Sequence, residues 1–196
     1  MLSEKPDYIL ITGDLAFDGA KVSHLSLAEK LSVLKEEGIT VLVLPGNHDI
    51  TGFAQVLPDG EPEDSESVSP EEFREIYSEF GYSGGTSYDE NSLSYVFDTG
   101  KGTRFFMLDT NLIYGASLGQ LSTKTLCKES GNIPVFAGHH SVLSHNPRFD
   151  FTYKLSNGDA VSEMITGNGG SLYLCGHLHT QHFVQTEKLT DIVTGG

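Results

Sequence analysis

The chain has 196 residues, 38% hydrophobic and 20% charged, a balance that suits a globular protein with one sizeable core. Acidic residues outnumber basic ones 27 to 12, and the formal charge of -15 argues against a broad nucleic-acid surface, because such a field repels polyanions. A small phosphate ester stays compatible with that charge where bound cations offset it locally.

Tyr8-Ile9-Leu10-Ile11-Thr12 reads as a first buried strand that passes directly into Gly13-Asp14. Residues 21 to 37 suit an amphipathic helix, with Val22, Leu25, Leu31 and Leu34 on its apolar side and Gly38 closing it. Val41 to Leu44 follows as a second buried strand. Pro45 and Gly46 end it and deliver Asn47-His48-Asp49. Strand, helix, strand predicts a parallel βαβ unit that presents Asp14 and Asn47-His48 from one sheet edge. Residues 51 to 92 break this pattern. Pro58 to Glu66 reads as a mobile acidic loop, and Ser69-Pro70-Glu71-Glu72 opens a short helix with a capping box. Phe73, Ile76, Tyr77 and Phe80 form the helix's apolar side. The block is expected to be an insertion over the site, and its aromatics (Phe53, Phe73, Tyr77, Phe80, Tyr82) to govern selectivity.

Leu93 to Phe97 and Arg104 to Leu108 form a hairpin around Thr99-Gly100-Lys101-Gly102, followed by Asp109 in a turn. Leu118 to Lys128 suits a short helix. Ile133 to Ala137 then enters Gly138-His139-His140, and Ser171 to Cys175 enters Gly176-His177-Leu178-His179. Two closing strands are expected at His182 to Thr186 and Asp191 to Thr194. The two cysteines, Cys127 and Cys175, form no CxxC pair and are read as reduced, buried thiols. There is no apolar run of membrane-spanning length and no signal-peptide pattern, so a soluble, cytoplasmic protein is favoured.

Four hydrophobic strands thus end in glycine-flanked polar groups. A His-X-His pair on an extended segment would place both imidazoles on one face. One carboxylate, one amide oxygen and several imidazoles make a mixed N/O set suited to Zn, Mn or Fe. The amide of Asn47 can ligate a metal, His48 can move protons, and the adjacent Asp49 can hold that imidazole in one tautomer. His24 and His182 are assigned to structure, and Asp18 and Asp109 to turns.

The motifs Gly13-Asp14, Gly46-Asn47-His48-Asp49, Gly138-His139-His140 and Gly176-His177-Leu178-His179 together resemble the calcineurin-like metallophosphoesterases. The text from Phe73 to Tyr77 and from Ser92 to Tyr95 is also similar to bacterial members grouped with cyclic-nucleotide phosphodiesterases. The resemblance implies an α/β sandwich of two mixed β-sheets flanked by helices, with two transition metal ions, divalent or trivalent (Mn, Fe or Zn). It implies Asp14 as the bridging ligand, Asn47, His139 and His177 on the second metal, and His179 on the first. His48 would act on the phosphoryl oxygens or the leaving group, steadied by Asp49. His140 would be a substrate-side neighbour, and His145 a residue that lines the pocket. All these groups are expected to converge.

The implied reaction is hydrolysis of a phosphodiester, with cyclic nucleotides among the candidates, by hydroxide bridging the metals. Phosphomonoester or nucleotide hydrolysis is the alternative, and an inactive scaffold of the same fold is the rival. A small phosphate ester is the expected partner. The family's DxH motif is absent from the sequence, so the chain is expected to be one domain incomplete at both ends. It should lack its first strand, hold at most about one metal tightly, and show little turnover by itself.

Overall fold

Four consecutive buried residues, Val41, Leu42, Val43 and Leu44, anchor the first part of the computed structural model, which describes residues 4–111 and 132–195. They lie in strand β2 (Thr40–Leu44), paired in parallel with β1 (Tyr8–Thr12) in a register that sets Thr12 opposite Leu44. Helix α1 (Lys21–Glu36) connects the two strands, so the expected βαβ unit is present. Each fully buried leucine contributes roughly 1.5–3 kcal/mol by leaving water.

The chain divides into two compact units, Met1–Gly84 and Gly85–Gly196. In the first, the buried side of α1 differs from the sequence reading: Val22 and Leu25 are exposed, whereas His24 and Leu31 are buried. The inward stripe takes a histidine at a core position, which a hydrophobicity count does not register. Residues 54 to 65 also differ from the expected mobile loop. Strand β3 (Ala54–Val56) pairs antiparallel with β4 (Glu63–Ser65) around a short turn at Pro58–Gly60. Helix α2 (Pro70–Ile76) begins as expected. Ser69 accepts from the Glu72 N–H, and the Glu72 carboxylate accepts from the Ser69 N–H. Phe73, Tyr77, Phe80 and Tyr82 are buried, with Phe73 and Tyr77 ring centroids 4.7 Å apart. They are core residues and do not line a substrate surface; of the five aromatics expected to govern selectivity, Phe53 alone is exposed.

The second unit is a seven-stranded mixed sheet that opens with strands β5 (Ser87–Tyr88), β6 (Tyr95–Asp98) and β7 (Thr103–Met107). Then come β8 (Ile133–Ala137), the short helices α3 (Asp150–Tyr153) and α4 (Gly158–Gly167), and β9 (Leu172–Cys175). Strands β10 (His182–Gln185) and β11 (Thr190–Val193) close it, and the strand order is β10-β11-β9-β8-β7-β6-β5. The β6–β7 hairpin is antiparallel, while β7, β8, β9 and β11 run parallel. Phe106, Phe136, Val161, Ile165 and Tyr173 belong to its core. The helix expected at Leu118 to Lys128 lies outside the described residues. The α/β class holds, and the large sheet is mixed. Among the described residues, the first unit's β1–β2 sheet is a parallel pair.

Candidate active site

In the first unit, β1 and β2 end level with each other, so the turns that follow them leave from one edge. Gly13 and Asp14 take left-handed backbone angles, φ 99° and 55°, which glycine adopts freely and aspartate tolerates. The His48 N–H donates to Asp14 Oδ1 at 3.1 Å, and half-buried Asn47 lies in the same turn as His48.

Asp49 has a different task from the one the sequence suggests. Its fully buried carboxylate accepts from the N–H groups of Gly46 (2.7 Å), Leu15 (2.7 Å) and Ala16 (2.9 Å). It therefore fastens the Asp14 turn to the His48 turn through backbone N–H groups. Burial pushes this carboxyl up to about 7, the three N–H groups oppose the rise, and the charge of Asp14 adds to it. The carboxylate beside His48 is instead Asp18 Oδ1, 3.3 Å from Nδ1. Asp18 does occupy a tight turn, with φ 43°, and that turn aims it at the imidazole. His48 itself keeps 54% of its side chain exposed.

His24 supports the His48 turn from behind. Its Nε2 lies 3.0 Å from the Asp49 carbonyl and its Nδ1 2.9 Å from Tyr77 Oη. Desolvation holds its pKa below the usual range, so the ring is neutral and carries one N–H. The carbonyl can only accept, so Nε2 donates and Nδ1 receives the Tyr77 hydroxyl proton. Tyr77→Phe is expected to leave that buried nitrogen without a donor. The cost should be about 1–3 kcal/mol, measurable as a lower urea midpoint with an unchanged m-value.

In the second unit, β8 and β9 deliver His139, His140 and His177 into one cluster, whose candidate ligand atoms all lie within 4.8 Å of one another. His139 and His140 are buried and His177 half-buried. Gly138 is required here by close approach, since a β-carbon would collide with the Tyr173 hydroxyl and with Thr110 Cγ2. The Thr152 carbonyl accepts from His177 Nε2 at 3.2 Å, which leaves the Nδ1 lone pair facing His139 Nε2 at 3.1 Å. A fixed tautomer with two converging ring nitrogens is a donor arrangement suited to a borderline transition metal.

His140 belongs to the cluster by position, but its partner gives it another role. The Thr110 hydroxyl oxygen accepts from the N–H groups of His139 and His140, both at 3.2 Å. With two lone pairs engaged, its own proton goes to His140 Nδ1 at 2.9 Å. His140 Nε2 then carries hydrogen, which makes it a donor in this tautomer. Thr110 was missed in the sequence because it is 30 residues from its partner.

Two further sequence candidates stand apart. The backbone at 176–180 is bent, with φ 65° at His177 and 52° at His179, so the alternation expected of an extended segment does not apply. His179 is exposed and outside the three-histidine cluster. His145 keeps only 2% of its side chain exposed, 3.4 Å from the buried Asp191 carboxylate and 2.8 Å from His182. It faces inward, which removes the support for a pocket-lining role. Cys175 is buried, and its Sγ donates to Asp191 at 3.2 Å, in keeping with a non-ligand thiol.

The sequence profile of the calcineurin-like phosphoesterases matches residues 1–181, across every motif named above. The chain belongs to the calcineurin-like phosphoesterase family. It is 23% identical over 188 residues to a probable cyclic nucleotide phosphodiesterase of Xenorhabdus bovienii, covering 96% of this chain and 67% of that protein. The crystal structure of a phosphopantetheinyl hydrolase from Mycobacterium tuberculosis superposes with a TM-score of 0.54 at 13% identity, over 96% of this chain and 79% of that one. That second likeness concerns the fold alone. Phosphoesterases of this family generally use divalent metals, and the imidazole set of His139 and His177, held by Thr152, is chemically fit for one. Among the described residues, no helix of this family member is long and apolar enough to cross a membrane.

Proposed function

We propose that this calcineurin-like phosphoesterase hydrolyses a phosphodiester in a metal-dependent reaction, with a cyclic nucleotide as the leading substrate class. The observation that carries the metal part is the His139–His177 pair, whose tautomer is fixed by the Thr152 carbonyl. The diester part is supported by the description of the Xenorhabdus bovienii relative. Asp14, Asn47, His139, His177 and His179 are the residues that would hold metal ions. When bound, Mn, Fe or Zn ions supply Lewis acidity toward phosphoryl oxygens and acidify water. They also offset the chain's own charge of -15, against which an anionic ester would otherwise have to bind.

The residues divide the remaining work. His48 donates from Nε2 to the departing alkoxide, while Asp18 accepts from its Nδ1 and keeps the ring aimed. His140 donates from Nε2 to a substrate oxygen, and Thr110 keeps it in that tautomer. Asp49 acts through the backbone, as a positioning residue for both turns.

The test is an assay with Mn(II) of bis-p-nitrophenyl phosphate, p-nitrophenyl phosphate and a 3′,5′-cyclic nucleotide. A kcat/KM for the diesters at least about tenfold above the monoester, a difference of about 1.4 kcal/mol in transition-state binding, is the expected result. The reverse order would assign the site to phosphomonoesters. Folded, metal-loaded protein with no turnover on any of the three would follow from the absent DxH motif and would favour the scaffold reading.

A further inference from the structure

The second unit holds a second pair of imidazoles, His145 and His182, that is not part of the three-histidine cluster. Asp191, on β11, is fully buried. One of its oxygens accepts from the N–H groups of Val142 (2.9 Å) and Leu143 (2.8 Å), and the other from Cys175 Sγ (3.2 Å). That second oxygen also lies 3.4 Å from His145 Nε2. The approach has ion-pair distance but misses hydrogen-bond geometry, and Nε2 is a buried atom without a hydrogen-bond partner. A carboxylate with three donors already on it can only accept, so the nitrogen facing it carries the proton. His145 Nδ1 then has its lone pair toward Nδ1 of His182, 2.8 Å away, with the rings inclined at 71°. His182 is exposed at the start of the edge strand β10, which gives an ion access from solvent.

We propose that His145 and His182 form a peripheral transition-metal site that takes a borderline divalent cation through both Nδ1 atoms. The argument does not rest on the phosphodiesterase reading and uses none of the cluster's residues. A metal-ligating histidine ordinarily presents its other ring nitrogen to a carboxylate or carbonyl, which fixes the tautomer and raises ligand basicity. Asp191 stands behind His145 at ion-pair distance, a looser counterpart of the hydrogen bond by which the Thr152 carbonyl holds His177. In the absence of an ion, His182 Nδ1 donates its hydrogen to the His145 Nδ1 lone pair; when the cation takes both Nδ1 atoms, that hydrogen passes by way of solvent to Nε2 of the exposed His182 ring. Imidazole donors favour Zn, Ni and Cu(II), in an order that places Cu(II) tightest. With two protein ligands, water completes the coordination, so this site is weaker than one with three. The bound ion ties the 139–149 segment to β10.

Zn(II) titration of the intact chain against a chromophoric chelator tests the proposal, comparing wild type with His182→Gln, an exposed position where the substitution leaves folding intact. The expected result is the loss of one weakly held equivalent in His182→Gln, with the tighter binding unchanged. In the His139→Gln background, adding His182→Gln should again remove one equivalent. Ring ¹⁵N NMR of wild type should show Zn(II) shifting Nδ1 of both His145 and His182 while Nε2 of His145 stays protonated. Equal zinc stoichiometry in wild type and His182→Gln, with no Nδ1 shift, would reduce the pair to an imidazole–imidazole hydrogen bond and overturn the proposal. Loss of all zinc in His182→Gln would overturn it too, because the pair would then be a structural support of the cluster.

Discussion

His48→Ala is expected to lower kcat by about 10²–10⁴-fold on a diester with an alkoxide leaving group, the range for removal of a positioned general acid. On a p-nitrophenyl ester the same variant should lose far less, because that leaving group departs without a proton. Retained metal should accompany both results, since His48 reaches the site through Asp18 and through its own N–H to Asp14 Oδ1, and is not assigned as a ligand. Asp18→Asn should move turnover in the same direction by a smaller factor, because it releases the ring without deleting it. Parallel steady-state measurements on the two substrates decide the role. Equal losses on both, or loss of metal itself, would mean that His48 does something other than protonate the departing oxygen.

Asp49→Ala is expected to act through stability. Three buried N–H groups, those of Gly46, Leu15 and Ala16, would lose their shared acceptor. At about 1–3 kcal/mol for each donor left unsatisfied, the cost should be about 3 kcal/mol or more. That is a large share of a folding free energy of about 5–15 kcal/mol. A fall in Tm of about 6–12 °C should follow for a chain of this size. Asp49→Asn should lie between the two, because its amide oxygen can keep Leu15 and Ala16 while its nitrogen faces the Gly46 N–H. A melting curve beside an activity assay separates this role from a catalytic one. Unchanged Tm with abolished turnover would return Asp49 to the chemistry of His48.

These two residues also mark where the sequence was legible. Strands β1, β2, β8 and β9 were readable because each is a short apolar run stopped by glycine, and the motif residues lie at those stops. The order β1, α1, β2 followed from pattern alone, and so did the capping box at Ser69 and the β6–β7 hairpin. Side-chain direction at the turns was not readable. Asp49 is adjacent to His48 in the chain, yet the turn points its carboxylate into backbone N–H groups and brings Asp18 from 30 positions away. Adjacency in a tight turn says little about contact, because neighbouring side chains diverge there.

The other misses share a cause. In α1, a hydrophobicity count favours Val22 and Leu25, but the buried position belongs to His24, made tolerable by its two hydrogen bonds to Tyr77 and Asp49. Helix α4 escaped the pattern reading although Val161 and Ile165 fall at helical spacing, because glycine and asparagine flank a short run. For His140, the deciding fact is a hydroxyl from the end of another strand, which fixes a tautomer that no local pattern encodes. The His-X-His argument assumed extended backbone, whereas both histidines adopt left-handed angles.

The most direct test of the central proposal is turnover of bis-p-nitrophenyl phosphate by metal-stripped protein as Mn(II) is returned, in wild type and in His177→Ala. The account predicts that chelation abolishes hydrolysis, that Mn(II) restores it in wild type, and that His177→Ala stays inactive at the Mn(II) concentration that saturates wild type. Hydrolysis that survives chelation, or full recovery in His177→Ala, would contradict it.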